Sequence, residues 1–175
     1  MATNQVLAVD LGQSGTRFKQ GDLLITSDRG KVAGENPLPA LKAVFELSQK
    51  FEADGLRAVY PGLPSHPGHT LYNSMMNPKY GYGGMLTIDA GGLEKANKLM
   101  ELMQERNVGY LAVSLGFYKT LFSAPGTSTS SEIPLEEQKE MGLTNGLIRF
   151  SIGLDNDIER TYRAMRLCMK QVGVL

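Results

Sequence analysis

The run GLIRFSIGLD, Gly146 to Asp155, constrains this chain more than any other stretch. Apolar β-branched and aromatic residues recur at every second position between glycines, the pattern of a strand with one face buried. By that two-residue period Ile148, Phe150 and Ile152 share one face, and Leu147, Arg149 and Ser151 share the other. The apolar row needs a layer to cover it. The arginine, held on a rigid face, presents a planar fork of donors that matches two carboxylate oxygens at once. Two readings stand open there: a structural pair with a neighbouring Asp or Glu, or a docking point for a carboxylate. Tyr110 to Gly116, YLAVSLG, reads as a companion strand.

The other periodic segments fit around these two. Gln5 to Gly12, Thr16 to Gln20 and Asp22 to Ser27 predict three antiparallel strands, with Gly21 in the second turn. Asn36-Pro37 starts a helix that keeps Leu38, Leu41, Val44, Phe45 and Ser48 to Phe51 on one stripe and ends near Asp54-Gly55. That helix is expected to lie across the N-terminal hairpin. Short strands are expected at Leu56 to Tyr60 and Gly84 to Asp89, and a short helix at Leu71 to Met76. Leu93, Ala96, Leu99, Met100 and Met103 define an amphipathic helix. Ser123 to Glu132 has no apolar period and reads as loop, and Pro134 opens a short helix stopped at Gly142. The last helix, capped by Asp155 or Asn156, carries Ile158, Tyr162, Met165, Cys168, Met169 and Val172 on its buried stripe and stops at Gly173. The fold class is α+β, a mainly antiparallel sheet covered by helices.

Charge and cysteine usage narrow the function. Lys plus Arg equals Asp plus Glu at 18 each and the pI is near 6.7, which argues against a nucleic-acid or membrane-surface binder. The single cysteine, Cys168, sits on a helical stripe and reads as a buried thiol in a reduced, cytoplasmic setting. His66 and His69 lack a third ligand nearby, so no metal is expected. No apolar run reaches membrane-spanning length.

From about residue 56 onward, four ordered motifs carry a resemblance: YPGLPSHPGH (Tyr60 to His69), GYGGMLTID (Gly81 to Asp89), LAVSLGFYKTLFSAPGTST (Leu111 to Thr129) and GLTNGLIRFSIGLDN (Gly142 to Asn156). Together they resemble the C-terminal domain of the pyridoxal-phosphate (PLP) enzymes of Cys/Met metabolism, the methionine γ-lyase and cystathionine γ-synthase group. The resemblance implies an aminotransferase-type small domain, and it implies that Arg149 binds the substrate α-carboxylate with Ser114 beside it and Thr129 near the same pocket. In those enzymes the lysine that carries the cofactor, the partner of its ring nitrogen and its phosphate cradle precede the matched region, and no lysine of this sequence stands in that lysine motif.

A second resemblance covers VLAVDLGQSGTR, which is similar to the first phosphate loop of the sugar-kinase, actin and Hsp70 superfamily, in particular its N-acetylglucosamine-kinase-like branch. It implies a phosphate loop of Asp10, Gly12, Ser14, Gly15 and Thr16, with Asp10 helping to place the magnesium of Mg-ATP. No second phosphate loop follows. Two incomplete machines point to a recombined or engineered chimera, with residues 1–55 kinase-like, residues 56–175 a PLP-enzyme small domain, and the junction between Pro39 and Arg57. On this reading no cofactor is expected in the chain, amino-acid carboxylates are its weak ligands, and self-association is left open. The rival readings are a PLP-dependent carbon–sulfur lyase or transsulfuration enzyme, and an ATP-phosphate-binding module.

Overall fold

The strands divide between two sheets in the computed structural model, which describes residues 8–12, 15–20, 23–27, 38–75, 81–128, 130–153 and 157–175. Near the N-terminus β1 (Ala8–Gly12), β2 (Gly15–Gln20) and β3 (Leu23–Ser27) form an antiparallel meander in that order. Gly12 faces Gly15 and Gln20 faces Leu23 in the register of the ladder. The three predicted strands are therefore present. Gly21 and the expected helix start at Asn36-Pro37 lie outside the described residues.

The second sheet holds β4 (Ala58–Val59), β5 (Met85–Asp89), β6 (Tyr110–Leu111), β7 (Leu121–Ser123) and β8 (Leu147–Ser151) in the order β4-β5-β8-β7-β6. All pairs are antiparallel except β6 with β7. The strand that carries Arg149 is thus central, hydrogen-bonded on both sides, rather than at an edge. Its alternation is the predicted one: Ile148, Phe150 and Ile152 are buried, and across the sheet Leu86, Phe150 and Phe122 form one continuous apolar row.

Five α-helices complete the described chain: α1 (Leu38–Ala53), α2 (His69–Met75), α3 (Leu93–Glu105), α4 (Leu135–Glu140) and α5 (Ile158–Val172). The stripes of α1, α3 and α5 meet the apolar row in one core, with Leu47, Phe51, Leu99, Met103, Met165 and Met169 fully enclosed. Each such side chain contributes about 1.5–3 kcal/mol on leaving water. The α1 stripe packs on α5, β4 and β5, a correction to its expected place across the N-terminal hairpin. The physical reason is area: the five-stranded sheet has an apolar face that needs covering, and Val44, Leu47 and Phe51 are spaced to cover it.

Three local expectations shift. α5 is capped by Asp157, whose carboxylate accepts from the Arg160 N–H at 3.0 Å, whereas Asp155 and Asn156 lie outside the described residues. Gly173 ends the helix in the left-handed conformation at φ 73°, as predicted. The strand expected over Tyr110–Gly116 keeps two residues. After the Ala112 N–H pairs with the Phe122 carbonyl, the backbone turns away through exposed Val113 to Leu115 and a left-handed Gly116. Leu121–Ser123, the first residue of the expected loop included, is a strand instead.

Candidate functional site

Arg149 is placed by the start of its own strand. The Asp89 carboxylate accepts from the Gly91 N–H and from the Thr144 hydroxyl, both at 2.8 Å, and a Cβ at Gly146 would collide with Asp89 Oδ1 and the Gly92 amide. Glycine at 146 therefore lets the chain enter β8 against that corner, and the Ala90 N–H donates to the Gly146 carbonyl at 2.8 Å. From there the register sets Arg149 opposite Thr87 on β5 and Ser123 on β7. All three project from the face away from the helical layer.

Residues 112–120, which link the parallel strands β6 and β7, cross over this face. The Arg149 Nη2 group donates to the Ser114 carbonyl at 3.2 Å, and the Gly116 N–H donates to the Ser151 hydroxyl at 3.2 Å. The guanidinium is half-buried, and desolvation pushes its pKa down from the ordinary arginine value. Arginine titrates so far above neutrality that it stays charged. Its Nε is buried without a hydrogen-bond partner, and so is the hydroxyl oxygen of Ser123, a residue 3% exposed on the neighbouring strand. Among the described residues no carboxylate lies within ion-pair distance of Arg149. A cation with a buried, unmatched donor beside a buried hydroxyl has the chemistry to pair with an anion that offers two oxygens.

Of the residues read from sequence, Arg149 and Ser114 come together, while Thr129 lies outside the described residues. Sequence reasoning missed Ser123 and the Ser151 clasp on Gly116. Leu121–Ser123 is too short to carry a period, so no sequence signal marked Ser123. Asp10 and Gly12 stand on β1, Gly15 and Thr16 on β2, with Asp10 opposite Arg17; Ser14 lies outside the described residues. His66 and His69 make local bonds: the His66 Nδ1 accepts from the Gly68 N–H at 3.0 Å, and the His69 Nδ1 meets the Pro61 carbonyl at 2.8 Å. No group of metal-ligating side chains occurs among the described residues. Cys168 is fully buried and its thiol pKa is pushed up by burial, which fits packing rather than nucleophilic chemistry.

The family described as "Cys/Met metabolism PLP-dependent enzyme" matches residues 50–160, a span that contains the Arg149 corner. The chain belongs to this family. It is similar to a methionine gamma-lyase of Arabidopsis thaliana, 46% identical over 109 residues that make up 62% of this chain and 25% of that protein. It is also similar to a cystathionine gamma-lyase of Bacillus subtilis, 36% identical over 97 residues, 55% of this chain and 24% of that one. Among solved structures, an O-acetylhomoserine (thiol)-lyase of Campylobacter jejuni superposes with a TM-score of 0.67 at 25% identity, covering 74% of this chain and 30% of that one. Yeast cystathionine gamma-lyase shares the fold, with a TM-score of 0.68 at 23% identity over 81% of this chain and 40% of that one. The chain spans about a quarter of the length of the curated relatives it matches.

Family membership corrects one expectation, that no cofactor concerns this chain. The family is PLP-dependent, and the Campylobacter relative carries a pyridoxyl-lysine monophosphate. The missing lysine motif told which part of such an enzyme these residues correspond to, and says nothing against its chemistry. The described residues fit the substrate side of a PLP site: the Arg149 fork is charged, partly desolvated and has a donor unmatched. They do not fit the cofactor-bearing side. Lys42, Lys50, Lys95, Lys98, Lys119, Lys139 and Lys170 are all at least partly exposed, and Lys50, Lys95, Lys98, Lys119 and Lys139 donate to Glu159, the Gly173 carbonyl, Glu94, Asn107 and Glu136. A lysine that forms a Schiff base is instead desolvated and has its pKa lowered.

Among the described residues no helix is long and apolar enough to cross a membrane.

Proposed function

We propose that this chain supplies the substrate-carboxylate site of a PLP-dependent enzyme acting on sulfur amino acids, a carbon–sulfur lyase or transsulfuration enzyme. Arg149 grips the α-carboxylate, the Ser114 segment lines the grip, and Thr129 stands near it by resemblance. One observation carries the reading: a central-strand arginine whose Nε is buried and unmatched. A structural arginine at that depth would have its carboxylate built in. In such an enzyme PLP supplies the electron sink that labilises bonds at the substrate α-carbon. What these residues contribute is orientation, since a two-point grip on the carboxylate fixes which α-bond faces the reacting group.

Titration of the isotopically labelled chain with L-methionine tests this. Saturating shifts are expected in the backbone amides of Ser114, Gly116 and Arg149, absent in Arg149→Leu and absent with methionine methyl ester, which lacks the carboxylate. Equal shifts with acid and ester would overturn the reading.

A second reading concerns residues 1–55, which we propose to be of different origin from residues 56–175, a kinase-like segment joined within or just after α1, between Pro39 and Arg57. The match to the PLP family begins at residue 50, and β1 to β3 form a sheet of their own. The facing of Gly12 and Gly15 on adjacent strands supports a phosphate loop built on Asp10, Gly12, Ser14, Gly15 and Thr16. If Mg-ATP raises the Tm of the wild type and not of Asp10→Ala, the phosphate loop stands; an equal rise in both sinks it. The two pieces share one core in either case, because α1 packs on the C-terminal sheet.

A further inference from the structure

We propose that the cleft between the end of α3, the turn before β7 and the first turns of α5 binds a compact multivalent anion, of the pyrophosphate class. The cleft encloses about 490 Å³, within the range of small-ligand sites. Three elements each bring a cation to it: Arg106 from the end of α3, Lys119 from the turn and Arg160 from α5. Among the described residues no carboxylate lines it.

Lys119 and Arg106 are each held by a neutral partner rather than a carboxylate, and Arg160 stands exposed at the rim. Lys119 donates to Asn107 Oδ1 at 2.7 Å and lies 5.0 Å from the centre of the Tyr110 ring, and Arg106 donates to the Gln171 side-chain oxygen. Asn107 takes the left-handed conformation at φ 57°, which turns its side chain toward Lys119. The backbone fields offset one another here, since α3 ends at the cleft with its negative pole and α5 begins beside it with its positive pole. The side chains therefore set the local potential, and three fixed cations around one small cavity favour an anion that can meet more than one of them. Arg149 does not line this cleft, so the site stands apart from the carboxylate corner.

Isothermal titration of the full chain with sodium pyrophosphate, at low and at physiological ionic strength, tests the proposal. Saturable one-to-one binding is expected, weaker at the higher salt. Arg160→Gln should weaken it about tenfold and Arg160→Gln with Lys119→Gln about a hundredfold, roughly the loss of one and two charge-assisted contacts. Lys139→Gln, an exposed cation outside the cleft, should bind pyrophosphate as the wild type does. Arg160 is exposed, so the single variant should keep the wild-type Tm and report binding alone. A parallel citrate titration separates phosphoryl from polycarboxylate recognition; tight binding of either by the wild type, lost in the double variant, supports the site. No saturable binding of either anion, or variants that bind like the wild type, overturns it.

Discussion

Two arginines in this molecule show opposite solutions to the same problem. Arg166 on α5 donates through Nε to both oxygens of Asp54 at 2.9 Å, and the Tyr162 hydroxyl donates to the same carboxylate at 2.6 Å. That cluster ties the last helix to the end of α1, and its pKa shifts agree with a closed pair. The hydrogen bonds from Tyr162 and Arg166 hold the Asp54 carboxyl below the usual range against the opposing effect of burial, and the Asp54 carboxylate raises Tyr162. Among the described residues Arg149 has no such partner. Its guanidinium donates to the Ser114 carbonyl, and burial lowers its pKa. The arginine that ties α5 to the end of α1 comes with its carboxylate, and among the described residues Arg149 has none.

The sharpest way to break the comparison is to disrupt the two arginine sites in turn. Arg149→Leu should reduce affinity for an amino-acid carboxylate about a hundredfold, the loss of a two-point charged grip, while leaving the urea midpoint unchanged or slightly higher. If it unfolds the protein, Arg149 is structural after all. Asp54→Ala should do the reverse, lowering the urea midpoint because the carboxylate shared by Tyr162 and Arg166 is gone, with carboxylate binding intact. Urea titration and the methionine titration, run on the same samples, give both numbers.

Acid sharpens the contrast further. A carboxylate whose folded pKa is depressed contributes stability above its unfolded pKa of about 3.9, and that contribution disappears as pH falls through the lower folded value. The wild type should therefore lose stability more steeply than Asp54→Asn as pH falls from about 5 to about 2. Arg149→Leu should follow the wild-type acid limb, because no titrating partner is removed with it. Equal slopes in wild type and Asp54→Asn would show that the Asp54 cluster contributes nothing. The smallest effect belongs to the exposed pair of Lys98 with Glu94, where Glu94→Ala should leave the Tm within experimental error.

Much of this arrangement was legible in the sequence because it is periodic. The two-residue alternation around Arg149 and the helical stripes of α3 and α5 give the buried residues almost one for one, since a half-buried strand and an amphipathic helix leave their imprint on composition. What failed was whatever depends on backbone rather than side-chain type. β7 is three residues long, too short for a period to register, and nothing in Leu121–Ser123 announces that it lies between two strands distant in sequence. The partner of Arg149 is a carbonyl, which every residue possesses, so only the crossing of residues 112–120 over the sheet could reveal it. The stripe of α1 was legible but its destination was not, because the N-terminal strands and the C-terminal sheet both looked able to receive it.

The position of β8 in the strand order has a consequence for how the molecule is made. β5 and β7 flank it, yet β8 emerges from the ribosome after both, so each must wait with a row of unpaired amides and carbonyls. A nascent chain interrupted before Gly146 would present two sticky edges to other chains, and the arrival of one late strand closes both in a single step.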